Sequence, residues 1–112
     1  TDADLILYAQ NREVPIFAGA VTPTEIRTAW TLGASAIKVF PASIGGPGLL
    51  ATLRGPFPDI PFIPTGGVDG ANAADYLGAG AVAVGVGSWL TAAGDTDEIA
   101  ARADQLRLAT RR

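Results

Sequence analysis

Four short apolar runs, Val14–Gly19, Ser35–Phe40, Ile60–Thr65 and Ala81–Val86, begin 21, 25 and 21 residues apart, and turn residues follow each. Runs of this length, rich in β-branched residues, predict strands. The intervals leave room for one helix each. Thr22-Pro23-Thr24-Glu25 predicts a helix start, with Thr22 as cap, Pro23 in the first turn and Glu25 closing a capping box. That helix should run to about Leu32 and stop at Gly33. A second is expected over Gly48–Arg54, ended by Gly55-Pro56, and a third from the cap Asp69 through Ala71–Leu77 to Gly78. Residues 96–110 predict an amphipathic helix with Ile99, Ala103, Leu106 and Leu108 facing inward. Asp2–Gln10 reads as the end of a further helix.

Strands that alternate with helices at this interval imply parallel βα units joined by right-handed crossovers. Apolar strands suit a sheet covered on both faces. A doubly wound open sheet and a (β/α)8 barrel both satisfy this pattern. Four units are about half of a barrel, whose usual length is about 250 residues. The chain is expected to be α/β, a (β/α)8 TIM barrel of which residues 1–112 are the last four βα units. The chain would then be the C-terminal half of a single barrel, with its first and last strands left as open edges.

Composition narrows the chemistry. Hydrophobic residues make up 48% of the chain and the mean hydropathy is positive, which predicts a packed core. No apolar run approaches the roughly 18 residues that span a bilayer. The polar, acidic start at Thr1–Asp4 carries no leader signature, so the expectation is a soluble cytoplasmic protein. The net charge is −3, and no basic cluster precedes Arg111–Arg112, which argues against a nucleic-acid partner. Cysteine and histidine are both absent. Disulfides, thiolate–imidazole metal sites and Ser-His or Cys-His nucleophile pairs are therefore excluded. What remains is hydroxyls, carboxylates, backbone groups and one lysine.

That lysine, Lys38, lies within ASAIKVFPAS, residues 34–43, while the other seven basic residues are arginines. Strand alternation puts Ala36, Lys38 and Phe40 on one face and Ile37 and Val39 on the other. If Ile37 and Val39 meet the helices, Lys38 points into the barrel near the C-terminal strand ends, where barrel active sites lie. An ammonium partly dried by Phe40 loses basicity, and the neutral amine can attack a ketone to form a Schiff base. The alternative is a lysine that snorkels to the rim or pairs with a carboxylate.

Two glycine motifs follow. In IPTGGVDGANAADYL, residues 63–77, Thr65 ends a strand and Gly66-Gly67 make the turn. In AVAVGVGSWL, residues 81–90, Gly85-Val86-Gly87-Ser88 follow the last strand. These would be the loops after barrel strands seven and eight, where phosphate sites frequently form. Closely spaced glycines let backbone N–H groups approach an anion. Tight βα turns alone would also account for them. Glu25 and Asp69 read as helix caps rather than acid/base groups. The loop IGGPGLL, residues 44–50, is placed to touch a substrate beyond Lys38. Trp30, Trp89, Tyr8 and Tyr76 read as core or rim packing.

Taken jointly, VTPTE, IKVFPAS, GPFPDIPFIPTGGV and VGVGSWL resemble the 2-keto-3-deoxy-6-phosphogluconate aldolase family from about Leu5 to Leu90. Its relatives cleave the galactonate isomer and 4-hydroxy-2-oxoglutarate. The resemblance implies a (β/α)8 barrel, homotrimeric at full length, in which Lys38 forms a Schiff base with pyruvate. It also implies that Phe40 lines the pocket, that Thr65 bears on stereoselectivity, and that Gly66, Gly67, Gly87 and Ser88 bind phosphate. The implied reaction is metal-independent, reversible cleavage of 2-keto-3-deoxy-6-phosphogluconate to pyruvate and glyceraldehyde 3-phosphate. In the family, the general acid/base glutamate comes from the N-terminal half of the barrel. So do the arginine and threonine that hold the pyruvate carboxylate. None of these three lies in the present sequence. A phosphate-binding half-barrel without chemistry is the competing expectation.

Overall fold

Three short parallel strands, β1 (Phe17–Ala20), β2 (Ala36–Val39) and β3 (Phe62–Pro64), form the sheet in the computed structural model, which describes residues 1–92 and 94–111. Arg112 of the terminal basic pair lies outside the described residues. Strand order is β1-β2-β3, with Gly19 in register with Lys38 and Lys38 with Ile63. Among the described residues six α-helices accompany the sheet: α1 (Ala3–Gln10), α2 (Pro23–Thr31), α3 (Gly46–Arg54), α4 (Ala73–Gly78), α5 (Ser88–Thr91) and α6 (Thr96–Ala109).

Alternation along the strands separates the two faces. Ala18, Ala20, Ile37, Val39, Phe62 and Pro64 are buried, and all but Pro64 belong to the apolar core beneath the helices. Ile6 and Ala9 of α1, Ile26 and Ala29 of α2, Leu50 and Leu53 of α3 and Ala73 and Tyr76 of α4 are the helical share of that core. Consecutive right-handed crossovers place successive helices on one side of a parallel sheet. On the other side Gly19, Lys38 and Ile63 are half-buried, Phe17 is 58% exposed, and Ala36 at the start of β2 is buried. Among the described residues this face is therefore covered only in part, whereas a sheet covered on both faces was the expectation.

The capping box of α2 forms as expected. The Thr22 hydroxyl accepts from the Glu25 amide, and the Glu25 carboxylate accepts from the Thr22 amide at 2.9 Å. The helix reaches Thr31, with Leu32 as C-cap, and Gly33 follows.

Several boundaries differ from expectation. β1 begins at Phe17 because the Val14 amide donates to the Ala9 carbonyl, closing the end of α1, and Pro15 has no N–H to give a sheet. α1 is a helix with its own cap, Asp2, which accepts from the Leu5 amide. α3 begins two residues early, so residues 46–50 are helical rather than loop, preceded by a 3-10 turn at Ala42–Ile44. Asp69 does not cap α4. Its carboxylate accepts from the amides of Ala71 and Asn72 in the turn before the helix, and Asn72 occupies the cap position. On α6, Ile99 and Leu106 are half-buried, but Ala103 is exposed and Leu108 is 58% exposed.

The fourth expected strand, Ala81–Val86, is absent as a strand. It meets β3 through one parallel bridge, Thr65 with Gly85. The Val82 amide donates to the Phe62 carbonyl and the Gly85 amide to the Pro64 carbonyl, so three steps on this segment span two on β3. One extra residue of this kind is a bulge. Pro64 explains why no ladder grows: it faces the segment and has no N–H to donate.

Candidate active site

β2 delivers Lys38 to the partly covered face, and the strand's C-terminal end delivers Phe40. The Lys38 ammonium lies 5.2 Å from the centre of the Phe40 ring. Among the described residues the ion pairs are Arg102–Glu98 and Arg107–Asp104, and the Lys38 ammonium makes neither an ion pair nor a hydrogen bond. The pairing alternative for this lysine therefore finds no carboxylate partner here. Phe40 is 53% exposed, so its ring is a wall of an opening rather than core.

Beyond Phe40 is a cavity of about 180 Å3 lined by Phe40, Thr65, Gly66, Gly67, Val68, Gly87, Ser88 and Trp89. The six residues expected to bind substrate thus lie around one opening, with Val68 and Trp89 in addition. Lys38 is not part of its lining and stands behind the Phe40 ring. The segment 44–50, expected to touch substrate, lies outside the lining as well.

Local geometry at the first glycine loop follows from its backbone. Gly66 has φ +92° and Gly67 φ +76°, a left-handed pair that side chains other than glycine rarely adopt. A Cβ on Gly66 would lie 3.0 Å from the Phe40 ring, and one on Gly67 would lie 2.7 Å from the Ser43 Cβ. Three successive carbonyls are tied away from the opening. The Thr65 carbonyl accepts from the Ala42 amide at 2.8 Å and the Gly66 carbonyl from the Ser43 amide at 3.1 Å. The Gly67 carbonyl accepts from the Asn72 side-chain amide at 2.9 Å. In a trans peptide the N–H points opposite to the C=O. The N–H groups of Gly67 and Val68 are consequently directed away from these donors.

Those N–H groups find no acceptor. Among the described residues, the amides of Gly67, Val68, Gly87, Ser88 and Trp89 make no hydrogen bond within the chain. All five border the cavity. Unpaired backbone donors at the edge of one concavity are an arrangement that can receive an anion. Thr65 fixes the two loops together, because its side chain packs so closely on Gly85 that a Cβ there would collide with the Thr65 hydroxyl oxygen.

No lining residue is acidic. Glu25 is engaged in its cap, where the amides of Val21 and Thr22 and then the Thr22 hydroxyl hold its carboxyl below its ordinary value of 4.5. Burial, and secondarily the Asp69 carboxylate, push the Tyr76 phenol up, but Tyr76 is a core residue. Neither displaced group belongs to the cavity. Trp89, expected as core or rim packing, is half-buried and lines the cavity beside Ser88, three residues past the fourth run.

No helix among the described residues is long and apolar enough to cross a membrane.

A profile described as KDPG and KHG aldolase matches residues 1–103. The 2-dehydro-3-deoxy-phosphogluconate aldolase of Pseudomonas aeruginosa is 43% identical over 88 residues, covering 78% of this chain and 40% of the relative. Among solved structures, one described as a native KDPGal structure superposes with a TM-score of 0.91 at 32% identity, covering 97% of this chain and 54% of the other. The KDPG aldolase of Legionella pneumophila, described with pyruvate captured as a covalent carbinolamine, matches with a TM-score of 0.74 at 27% identity. It covers 97% of this chain and 52% of the other. The chain thus spans about half the length of these relatives.

Proposed function

The chain belongs to the KDPG and KHG aldolase family, and from that premise we propose that it carries the Schiff-base lysine and the phosphate loops of a class I aldolase. It forms the C-terminal half of a single (β/α)8 barrel, and the substrate is 2-keto-3-deoxy-6-phosphogluconate. The observation that carries this reading is the adjacency of two things. An ammonium without a counter-ion stands on the partly covered sheet face, and beyond the aromatic ring next to it lies a cavity edged by unpaired amides.

In this reading the neutral Lys38 amine attacks the C2 ketone and water leaves, giving an iminium. The C3–C4 bond then breaks. Its electron pair moves into the iminium to form an enamine, while the C4 hydroxyl loses its proton and becomes the aldehyde of glyceraldehyde 3-phosphate. Protonation at C3 and hydrolysis release pyruvate and restore Lys38. The loops at Gly66-Gly67 and Gly87-Ser88 hold the C6 phosphate through backbone N–H groups, and Thr65 and Phe40 border the carbon chain between. In this reading the acceptor for the C4 proton is the family's glutamate from the N-terminal half of the barrel, which agrees with a cavity that no acidic side chain borders. The amides favour a phosphorylated substrate, of the gluconate or galactonate series, over 4-hydroxy-2-oxoglutarate.

Borohydride trapping with labelled pyruvate tests the amine. Wild-type chain should acquire one reduced pyruvyl adduct, located at Lys38 by peptide mass, and Lys38→Arg should acquire none, because a guanidinium stays protonated. A coupled assay for pyruvate release should show no turnover by the 112-residue chain. Adduct formation elsewhere, or equal trapping in Lys38→Arg, would overturn the assignment.

A further inference from the structure

The helix α6 touches both glycine loops from a single face. Arg102 donates one guanidinium nitrogen to the Trp89 carbonyl and the other to the Glu98 carboxylate, and its guanidinium carbon stands 5.5 Å from the Trp89 ring centre. Three residues on, the Gln105 side chain fills the space over Gly70, where a Cβ would lie 2.6 Å from it. Positions three apart share a helix face. Arg102 therefore holds the loop that carries Ser88 and Trp89, and Gln105 abuts the turn that carries Gly66 and Gly67.

We propose that α6 is a clamp that sets the distance between the two loops, with Arg102 as a positioning residue for the phosphate end of the site. The proposal deepens the phosphate-binding reading and rests on it. Arg102 is not part of the cavity lining, and its guanidinium is already shared between a carboxylate and a carbonyl. It therefore acts through Trp89 and not as a ligand. α5 has four residues and no buried side chain, so little else in its own packing fixes it. Arg102 supplies what α5 lacks: a fork with one prong on the loop backbone and one anchored within α6.

The test is amide-resolved NMR of the full 112-residue chain titrated with inorganic phosphate, together with hydrogen exchange. In the wild type the amides of Gly67, Val68, Gly87 and Ser88 should shift with one common midpoint. Arg102→Gln should raise that midpoint about fivefold, as expected for one lost hydrogen bond. It should also lower protection of the Leu90 and Thr91 amides, which bond to the Gly87 carbonyl. Protection of the Thr65 amide, which bonds to the Val39 carbonyl across β2 and β3, should stay unchanged. Arg102→Lys should recover most of the affinity by keeping a donor for Trp89.

Wild-type phosphate affinity in Arg102→Gln, or weakening that only follows a fall in thermal midpoint, overturns the clamp. If Arg102→Gln does not fold, Glu98→Gln takes its place. That variant frees the fork from its anchor, and unchanged affinity with unchanged Leu90 and Thr91 protection overturns the proposal equally. If the wild type shows no phosphate shifts, the phosphate reading falls. The exchange data then judge the clamp alone, and unaltered protection in Arg102→Gln ends it.

Discussion

The two faces of the β1–β2–β3 sheet are built from alternate residues of the same strands and have different neighbours. One face sets Ala18, Ala20, Ile37, Val39, Phe62 and Pro64 against helices and excludes water. The other sets Gly19, Lys38 and Ile63 side by side and only half-buried, beyond a buried Ala36. Burial on the first face supplies apolar stabilisation. The second can afford a polar group for the opposite reason: a lysine there stays close to water while its backbone is locked in the central strand. Stability and chemistry are thus separated by a single residue step, and a one-residue register slip would exchange them.

The sharpest test of that division compares neighbours on β3. Phe62 is fully buried, and Phe62→Ala should destabilise the chain by about 3–5 kcal/mol through lost transfer energy and the cavity left behind. Ile63 lies on the partly covered face, and Ile63→Ala should cost less than about 1.5 kcal/mol, since much of its side chain is wet already. Urea unfolding of the two variants measures both. Similar losses would mean that the second face is covered in solution.

That division was legible in the sequence because parity in a strand is geometric. Ile37 and Val39 against Lys38 requires nothing beyond alternation, and the Thr22–Glu25 box needs only four residues in order. The fourth run was misread for an equally local reason. Its alternating valines suit a strand, but pairing depends on the neighbour, and Pro64 in that neighbour lacks the necessary N–H. The proline was visible, yet which edge of β3 it faced was not. The clustering of Phe40, Thr65, Gly66, Gly67, Gly87 and Ser88 was legible as motifs. The tying back of three carbonyls, which leaves the amides free, was not, because Asn72 and the Ala42–Ser43 amides act on Gly67, Thr65 and Gly66 from separate segments. The surface of α6 was misjudged because helical periodicity names a face without saying whether a partner is there.

A smaller effect concerns the helices that cover the first face. Thr22→Ala should cost about 1 kcal/mol by removing the cap of α2, whose Ile26 and Ala29 are in the core. The Glu25 arm of the same box adds a pH dependence. Its carboxyl is held below 4.5 in the folded chain, so its contribution is complete above that value and lost as the pH falls through the lowered one. The stability gap between wild type and Glu25→Gln should therefore narrow on acidification below about pH 4.5. A gap independent of pH across that range would show that the carboxylate is not engaged by the box.

The smallest expected change is also the one that examines the partly covered face most directly. Gly19 is the β1 partner of Lys38, has no left-handed φ, and an added Cβ there meets nothing within 4 Å. Where the native backbone suits alanine, Gly→Ala restricts the unfolded chain and stabilises by about 0.4–1 kcal/mol. Gly19→Ala should accordingly raise the urea midpoint slightly, with the slope unchanged. The same methyl would sit beside the lysine, because residues in parallel register project to one side of the sheet. If that side is open as described, pyruvate trapping at Lys38 should survive the substitution. A destabilised variant would require atoms close to Gly19 in solution, and the contrast between the two faces would then fail at its centre.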